Sequence, residues 1–149
     1  HWPKQERAIS IRGLTAGMAF HLADCCHPVP GDRIVGIRQA GKGVEVHAID
    51  CLTLASGVDA DWLDLSWGER TTGAVGRVRV VLYNRPGTLA EAAGIFAGNR
   101  ANIAALENAG RDELFSTYEV DLDVNDLAHL TRIVSALRAS DAVAEAERI

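Results

Sequence analysis

With 149 residues, 48% of them apolar, the chain is long enough to bury one core or two small ones. Its net charge of −5 excludes a broad face for gripping phosphate backbones and leaves only a local basic patch for any nucleic-acid contact. No apolar run approaches the roughly 20 residues of a membrane span, and no basic-then-apolar leader opens the chain, so no membrane association and a cytoplasmic location are expected. Three cysteines, an odd number in a chain rich in Leu, Val, Ile and Ala, point to reduced thiols rather than a disulfide framework. The start at His1-Trp2-Pro3, without an initiator methionine, is what a fragment of a longer protein is expected to show.

Residues 1–67 read as a small α+β domain of short elements. Ile9 and Ile11, then Met18 to Ala23, Arg33 to Arg38, Val44 to His47 and Trp62 to Trp67 are expected strands, turned at Pro30-Gly31-Asp32 and Gly41-Lys42-Gly43. One short helix is expected, capped by Asp50, running through Cys51, Leu52 and Leu54 and ending at Gly57. Residues 68–76, Gly- and Thr-rich without an apolar period, are the expected linker.

Residues 77–149 carry a clearer pattern. Val78, Val80 and Leu82 alternate with Arg77, Arg79 and Val81 as a strand that stops at the Asn84-Arg85-Pro86-Gly87 turn. Thr88 and Glu91 fit a capping box for a helix with Leu89, Ala92, Ala93 and Phe96 at helical spacing, and Gly98-Asn99 offers a left-handed stop. A strand from Asn102 to Ala109, a loop at Gly110 to Glu113, and a strand in which Tyr118, Val120, Leu122 and Val124 alternate with polar residues should form a hairpin. Asn125 can cap a second helix bearing Leu127, Leu130, Ile133, Val134 and Leu137 on one face, and Val143 to Ile149 closes the chain as a strand. The order β-α-β-β-α-β predicts a ferredoxin-like four-stranded antiparallel sheet with both helices on one face, the other face being left to a partner.

The turn before the first of these helices has a physical use. Backbone N–H groups at the helix start can face a carboxylate, the helix dipole favours that negative charge, and Gly87 admits a close approach. The segment YNRPGTLAEAAGIFAGNRANI, residues 83–103, resembles the opening of an ACT domain, a regulatory module that binds amino acids, and the resemblance extends through the closing strand. It implies a ligand held by Asn84, Arg85, Pro86, Gly87, Thr88 and Leu89, with Asn102, Ile103 and Ala104 as the facing wall, often from a neighbouring copy. Small apolar walls suit a branched-chain amino acid, valine, isoleucine or leucine, with only about 1–3 kcal/mol per methylene to tell them apart. A homodimer through the ACT sheet is the expected assembly; a domain of this type that binds nothing and serves only to dimerise is the bland alternative.

In the first half, Cys25, Cys26, His47 and Cys51 form a sound tetrahedral zinc set: three thiolates and one imidazole. Adjacent strand residues point to opposite faces, so the Pro-rich turn after Cys26 must bend the chain, while His47 and Cys51, at a strand end and a helix start, can face one point. Asp50 would stand behind the ligands, and His27 is an alternative ligand ranked below His47 because Pro28 fixes its surroundings. The competing reading is three small thiols in a reduced protein, Cys51 being redox-sensitive near a helix N-terminus.

The stretch HLADCCHPVPGDRIVGIRQAGKGVEVHAIDCLTLA, residues 21–55, is similar to the cysteine-bearing segment of the RelA/SpoT homologues, long enzymes that make and hydrolyse (p)ppGpp; the segment is also called the zinc-finger or ribosome-intersubunit (RIS) domain. An ACT domain follows it in that family too. The resemblance implies a C-terminal regulatory end that engages the ribosome and tRNA and biases distant hydrolase and synthetase sites in the stringent response. Arg33, Arg38 and Lys42 would then present a basic edge to ribosomal RNA, against the plain reading of surface charges that keep a protein dissolved. A ligand-free ribosome-binding and dimerisation platform with a structural zinc is the second reading. With no phosphate loop, paired carboxylates or ordered Cys-His-acid set apart from the metal cluster, the chain is not expected to be an enzyme by itself.

Overall fold

The computed structural model describes residues 8–56 and 60–149. Two compact units meet between Ala74 and Val75. Among the described residues no helix is long and apolar enough to cross a membrane.

The first unit holds β1 (Ile11–Arg12), β2 (Phe20–Leu22), β3 (Ile34–Gln39), β4 (Gly43–Ala48), a 3-10 helix (Leu52–Ser56) and β5 (Trp62–Trp67). They form one sheet in the order β1-β5-β3-β4-β2, antiparallel except that β2 runs parallel to β4. The expected strand from Met18 is shortened because Met18 N–H turns back to the Thr15 carbonyl. The core lies on the sheet face that carries Ile34, Val44, Val46 and Leu65, flanked by Phe20, Leu22, Leu63 and Trp67. Period-2 alternation therefore sends Glu45 and His47 to the other face of β4. Gly43 begins β4 at φ 79° directly over the Ala19 carbonyl, which accepts from Val44 N–H at 2.9 Å; a Cβ there would collide with that carbonyl. The short helix is of the tighter 3-10 type, begins at Leu52 instead of next to Asp50, and its expected stop at Gly57 lies outside the described residues. Its entry is closed by Cys51 N–H donating to the Ala48 carbonyl at 3.0 Å. Within 68–76, Thr71 exchanges two hydrogen bonds with Ser10, each 2.9 Å, Thr72 N–H donates to Ala8, and the next strand already starts at Ala74.

The second unit is β6 (Ala74–Tyr83), α1 (Thr88–Gly98), β7 (Asn102–Arg111), β8 (Phe115–Val124), α2 (Leu127–Arg138) and β9 (Val143–Arg148), with sheet order β7-β8-β6-β9. This is the expected βαββαβ arrangement. The face carrying Val78, Val80, Leu82, Val120, Leu122 and Val124 is buried, as are Phe96 of α1 and Leu130, Ile133 and Leu137 of α2. The opposite face is not the apolar surface a stacked partner would need. Arg77 forks onto Asp121 at 2.6 and 3.2 Å, and Arg79 bridges Glu119 at 3.3 Å and Glu147 at 3.1 Å, so charges tie β6, β8 and β9 together on that side. The edge strand β7 is exposed at all ten residues, including Ile103 and Leu106, which lie opposite Leu122 and Val120 and so share the helix-facing side.

The helix ends differ from expectation by one residue each. Gly87, at φ 89°, is the N-cap of α1 and offers no side-chain cap. Thr88 is instead the first helical residue, its hydroxyl turned inward to donate to the Tyr83 and Arg85 carbonyls. At α2 the cap is Asp126, which accepts from His129 N–H at 2.8 Å, while Asn125 N–H donates to His129 Nδ1. At the end of α1, Asn99 stays near helical geometry because its side-chain amide bonds back to the Ile95 carbonyl, and the left-handed residue is Arg100 at φ 59°. Arg100 N–H to Ala97 and Ala101 N–H to Phe96 close the turn in a Schellman pattern. A side chain at that left-handed position carries a steric cost that glycine escapes, offset in part by the freedom glycine gives the unfolded chain. Arg100→Gly is therefore expected to stabilise this unit by about 0.5–1 kcal/mol, read as a raised urea midpoint; a lowered midpoint would mean that the arginine side chain contributes more than its backbone costs.

Candidate functional site

Cys25, Cys26, His47 and Cys51 offer one ligand atom each, all within 4.8 Å of one another, and could hold a metal ion. The fold assembles them from three places. Beyond β2, Ala23 N–H still pairs with the Val46 carbonyl, and the chain then folds over itself as His27 N–H reaches the Ala23 carbonyl at 3.1 Å with His27 left-handed at φ 45°. The bend thus falls on the vicinal cysteines themselves, before the Pro-rich turn, and lets both face β4. His47 comes from the end of β4 and Cys51 from the turn that follows it.

Cys25 Sγ lies 3.4 Å from His47 Nδ1 and 3.5 Å from Cys51 Sγ, and Cys26 Sγ lies 3.9 Å from the same Nδ1. Ala48 N–H donates to Cys26 Sγ at 3.4 Å, fixing that sulfur. Burial raises the Cys25 and Cys26 thiols, the latter to about 12, with the Cys51 sulfur adding to the effect at both. At Cys51 burial also works against the thiolate, but hydrogen bonding within the cluster and with Thr53 outweighs it and lowers the thiol to about 6. One sulfur is thus poised as a thiolate, and a metal would displace protons from the other two. His27 is not in the cluster.

The residue standing behind the ligands is Glu45, not Asp50. Its Oε1 is 2.6 Å from His47 Nε2 and its Oε2 is 2.9 Å from His21 Nε2. Hydrogen bonding from His21 lowers the Glu45 carboxyl, burial opposes this, and His47 reinforces it. The sequence signal was available: Glu45 and His47 are two apart on one strand, and strand residues two apart share a face.

The residues expected to cradle an amino acid do not meet within one chain. The contacts Arg77 to Asp121, Arg79 to Glu119 and Tyr83 to Phe115 show β6 and β8 running in opposite directions. Asn102 pairs with Asp123, at the far end of β8 from the Phe115 end where the 84–88 turn sits. The interval is eight residues, roughly 27 Å at about 3.4 Å per residue, so Asn102, Ile103 and Ala104 cannot wall the turn of their own chain. Asn102 donates its amide to Asp123 at 3.2 Å. Around the turn, side chains are engaged: Asn84 donates to the Asp112 carbonyl at 2.7 Å, and Arg85 donates to the Asp141 carbonyl at 3.1 Å and stacks over the Tyr83 ring. Thr88 N–H donates back to the Arg85 carbonyl at 3.5 Å and Pro86 has no N–H, so what remains toward a ligand is main chain around Gly87, with Leu89, 39% exposed, beside it. Leu114, 68% exposed, was not anticipated as a neighbour; its carbonyl accepts from Asn84 N–H at 2.8 Å.

Arg33, Arg38 and Lys42 do not form a compact edge. Arg33 precedes β3 and Lys42 follows it, which places them about 20 Å apart, and Arg38 is paired with Asp61 at 3.4 Å.

Residues 9–68 match the family model of the RelA/SpoT RIS domain, and residues 75–148 match that of the ACT domain. The chain is thus a RIS domain followed by an ACT domain. It is 38% identical over 149 residues to the GTP pyrophosphokinase rsh of Brucella abortus strain 2308, covering 97% of this chain and 20% of that protein. To the GTP pyrophosphokinase of Escherichia coli strain K12 it is 29% identical over 151 residues, covering 98% of this chain and again 20% of the relative. A solved ACT domain from the GTP pyrophosphokinase of Chlorobium tepidum aligns with TM-score 0.44 at 23% identity, covering 50% of this chain and 96% of that one. With both domains present in tandem, the chain belongs to the RelA/SpoT family, and it spans a fifth of the length of the curated relatives it matches.

Proposed function

We propose that this chain is the amino-acid-sensing, zinc-bearing regulatory region of a (p)ppGpp synthetase/hydrolase, in which a branched-chain amino acid bound by the ACT domain biases distant catalytic domains. The observation that carries the reading is the N-terminus of α1: a left-handed Gly87 and no side-chain cap, so that first-turn N–H groups and the helix dipole face outward to an anion. The wall that a single chain lacks can come from a second copy. Because β7 runs toward the turn, antiparallel pairing of two exposed β7 edges would carry the partner's 102–104 segment to the 84–88 turn. A ligand bound there would need different affinities in the two states of the parent enzyme to shift it.

For the metal, tetrahedral bonds of about 2.3 Å to sulfur and about 2.0–2.1 Å to nitrogen imply edges of about 3.8 Å between sulfurs and about 3.5 Å from sulfur to nitrogen. The separations of 3.4, 3.5 and 3.9 Å come within a few tenths of these, which supports zinc held by Cys25, Cys26, His47 and Cys51 as a structural, closed site. The ribosome-facing alternative has less support, because its basic residues are spread along the hairpin. Calorimetric titration of the chain with valine, isoleucine and leucine is expected to give saturable heat with at least one of them. Heat with none, at millimolar ligand, would leave a dimerisation and docking platform in place of a sensor.

A further inference from the structure

We infer that Glu45 is the positioning residue of the metal centre: it dictates which nitrogen of His47 faces the three sulfurs, and His21 holds Glu45 in place for that task. The inference rests on the proposed metal reading for its consequence, but its structural content is legible in the chain alone. His47 is 2% exposed, and Glu45 Oε1 stands 2.6 Å from its Nε2. An ionised carboxylate can only accept, so the proton of the neutral ring must sit on Nε2. Nδ1 then carries a lone pair, and it is Nδ1 that lies 3.4 Å from Cys25 Sγ and 3.9 Å from Cys26 Sγ. The ring is presented to a metal in its ligating tautomer before any metal arrives.

The second carboxylate oxygen is also spoken for. His21 and Glu45 are registered partners across the parallel β2 and β4 strands, and His21 Nε2 lies 2.9 Å from Glu45 Oε2. The three side chains therefore form a line from the surface to the cluster: His21 with its side chain 49% exposed, Glu45 at 25%, His47 at 3%. A carboxylate bonded on both oxygens has one orientation, and so has the imidazole it holds. Losing a carboxylate that orients a ligating imidazole typically weakens metal affinity about 10–100-fold.

The test uses the 149-residue chain at pH 8 with zinc as the probe. Competition against a chelator of known affinity should show Glu45→Ala weaker than the parent by about 10–100-fold, with Glu45→Gln recovering most of the loss because its amide oxygen can still accept from Nε2–H, and His21→Ala losing only a few-fold. In parallel, 15N imidazole NMR of the metal-free chain should show His47 protonated on Nε2 with a slowly exchanging proton, a signal kept in Glu45→Gln and lost in Glu45→Ala. Parent affinity in a folded Glu45→Ala, or a proton on Nδ1 of His47 in the parent, would overturn the assignment. If Glu45→Ala does not fold, Glu45→Gln decides: a retained Nε2 proton supports it and a lost one refutes it. A parent chain that takes up no zinc while keeping the Glu45-dependent tautomer would defeat the zinc reading and leave this one standing.

Discussion

Removing zinc with a chelator is expected to loosen the cysteine-bearing unit and lower its urea midpoint while leaving it folded, and Cys51→Ser or His47→Ala to abolish metal uptake altogether. The core of that unit is thin: Ile34, Val44, Val46 and Leu65 form its central cluster, with Ala23, Val29 and Ala48 buried besides, and the larger side chains packed around the cluster are partly exposed. A unit of about 60 residues buries only about 60% of its unfolded surface and is marginal by itself. Three of the four clustered residues, Cys25, Cys26 and Cys51, lie outside regular strand or helix, so the chain itself holds them together only through local hydrogen bonds. Structural zinc contributes about 10–16 kcal/mol of apparent binding free energy in zinc-finger peptides at neutral pH, and a unit that has its own sheet and core depends on only part of it. Two of the chain's three tryptophans, Trp62 and Trp67, lie on β5, and the Trp67 indole N–H donates to the Asp32 carbonyl in the turn that follows the Cys pair. Tryptophan emission should therefore shift to the red on chelation and recover on adding zinc. Emission and urea midpoint that stay the same in zinc-free protein would show that packing alone carries the unit.

Phe96→Ala is expected to cost the ACT domain about 3–5 kcal/mol, the usual loss for emptying a fully enclosed aromatic site. Phe96 is 2% exposed and is among the largest buried side chains of the chain. It lies on the face of α1 that also presents Ala92, so its ring fills space that no neighbour can enter without moving the helix. Its own carbonyl accepts the closing Schellman bond from Ala101 N–H at 2.9 Å, so a shift of the last turn would also disturb the entry into β7. Leu89, on the same helix and 39% exposed, gives the contrast: Leu89→Ala should cost far less in stability and act instead on ligand affinity. Urea unfolding followed by circular dichroism separates the two variants. Equal midpoints would mean that α1 is not anchored through Phe96.

Much of the second unit was readable because its periods are clean. Val78, Val80 and Leu82 against Arg77 and Arg79 can only be a one-sided strand, and Leu130, Ile133, Val134 and Leu137 can only be one face of a helix. The caps slipped by one residue where two good candidates are adjacent, as with Gly87 and Thr88 or Asn125 and Asp126, because the choice depends on the direction in which the chain enters the helix. That Cys25, Cys26, His47 and Cys51 could form one set was legible from residue chemistry, and the fold does bring the four together. Glu45 was not, since an acidic residue on an alternating strand reads as a solvated one until its neighbour on the same face is known to be a ligand. The placement of Asn102, Ile103 and Ala104 was hidden for a different reason: the end of the sheet at which a strand begins is set by the crossover, not by the residues of the strand.

The charged ladder of Arg77, Arg79, Glu119, Asp121 and Glu147 has a consequence for crowded surroundings. Laying another layer across it would strip hydration from five ions at once, several kcal/mol for each, with few compensating oils to gain. Neighbouring macromolecules should therefore slide off this side of the molecule, and whatever lingers there should be dislodged by modest ionic strength.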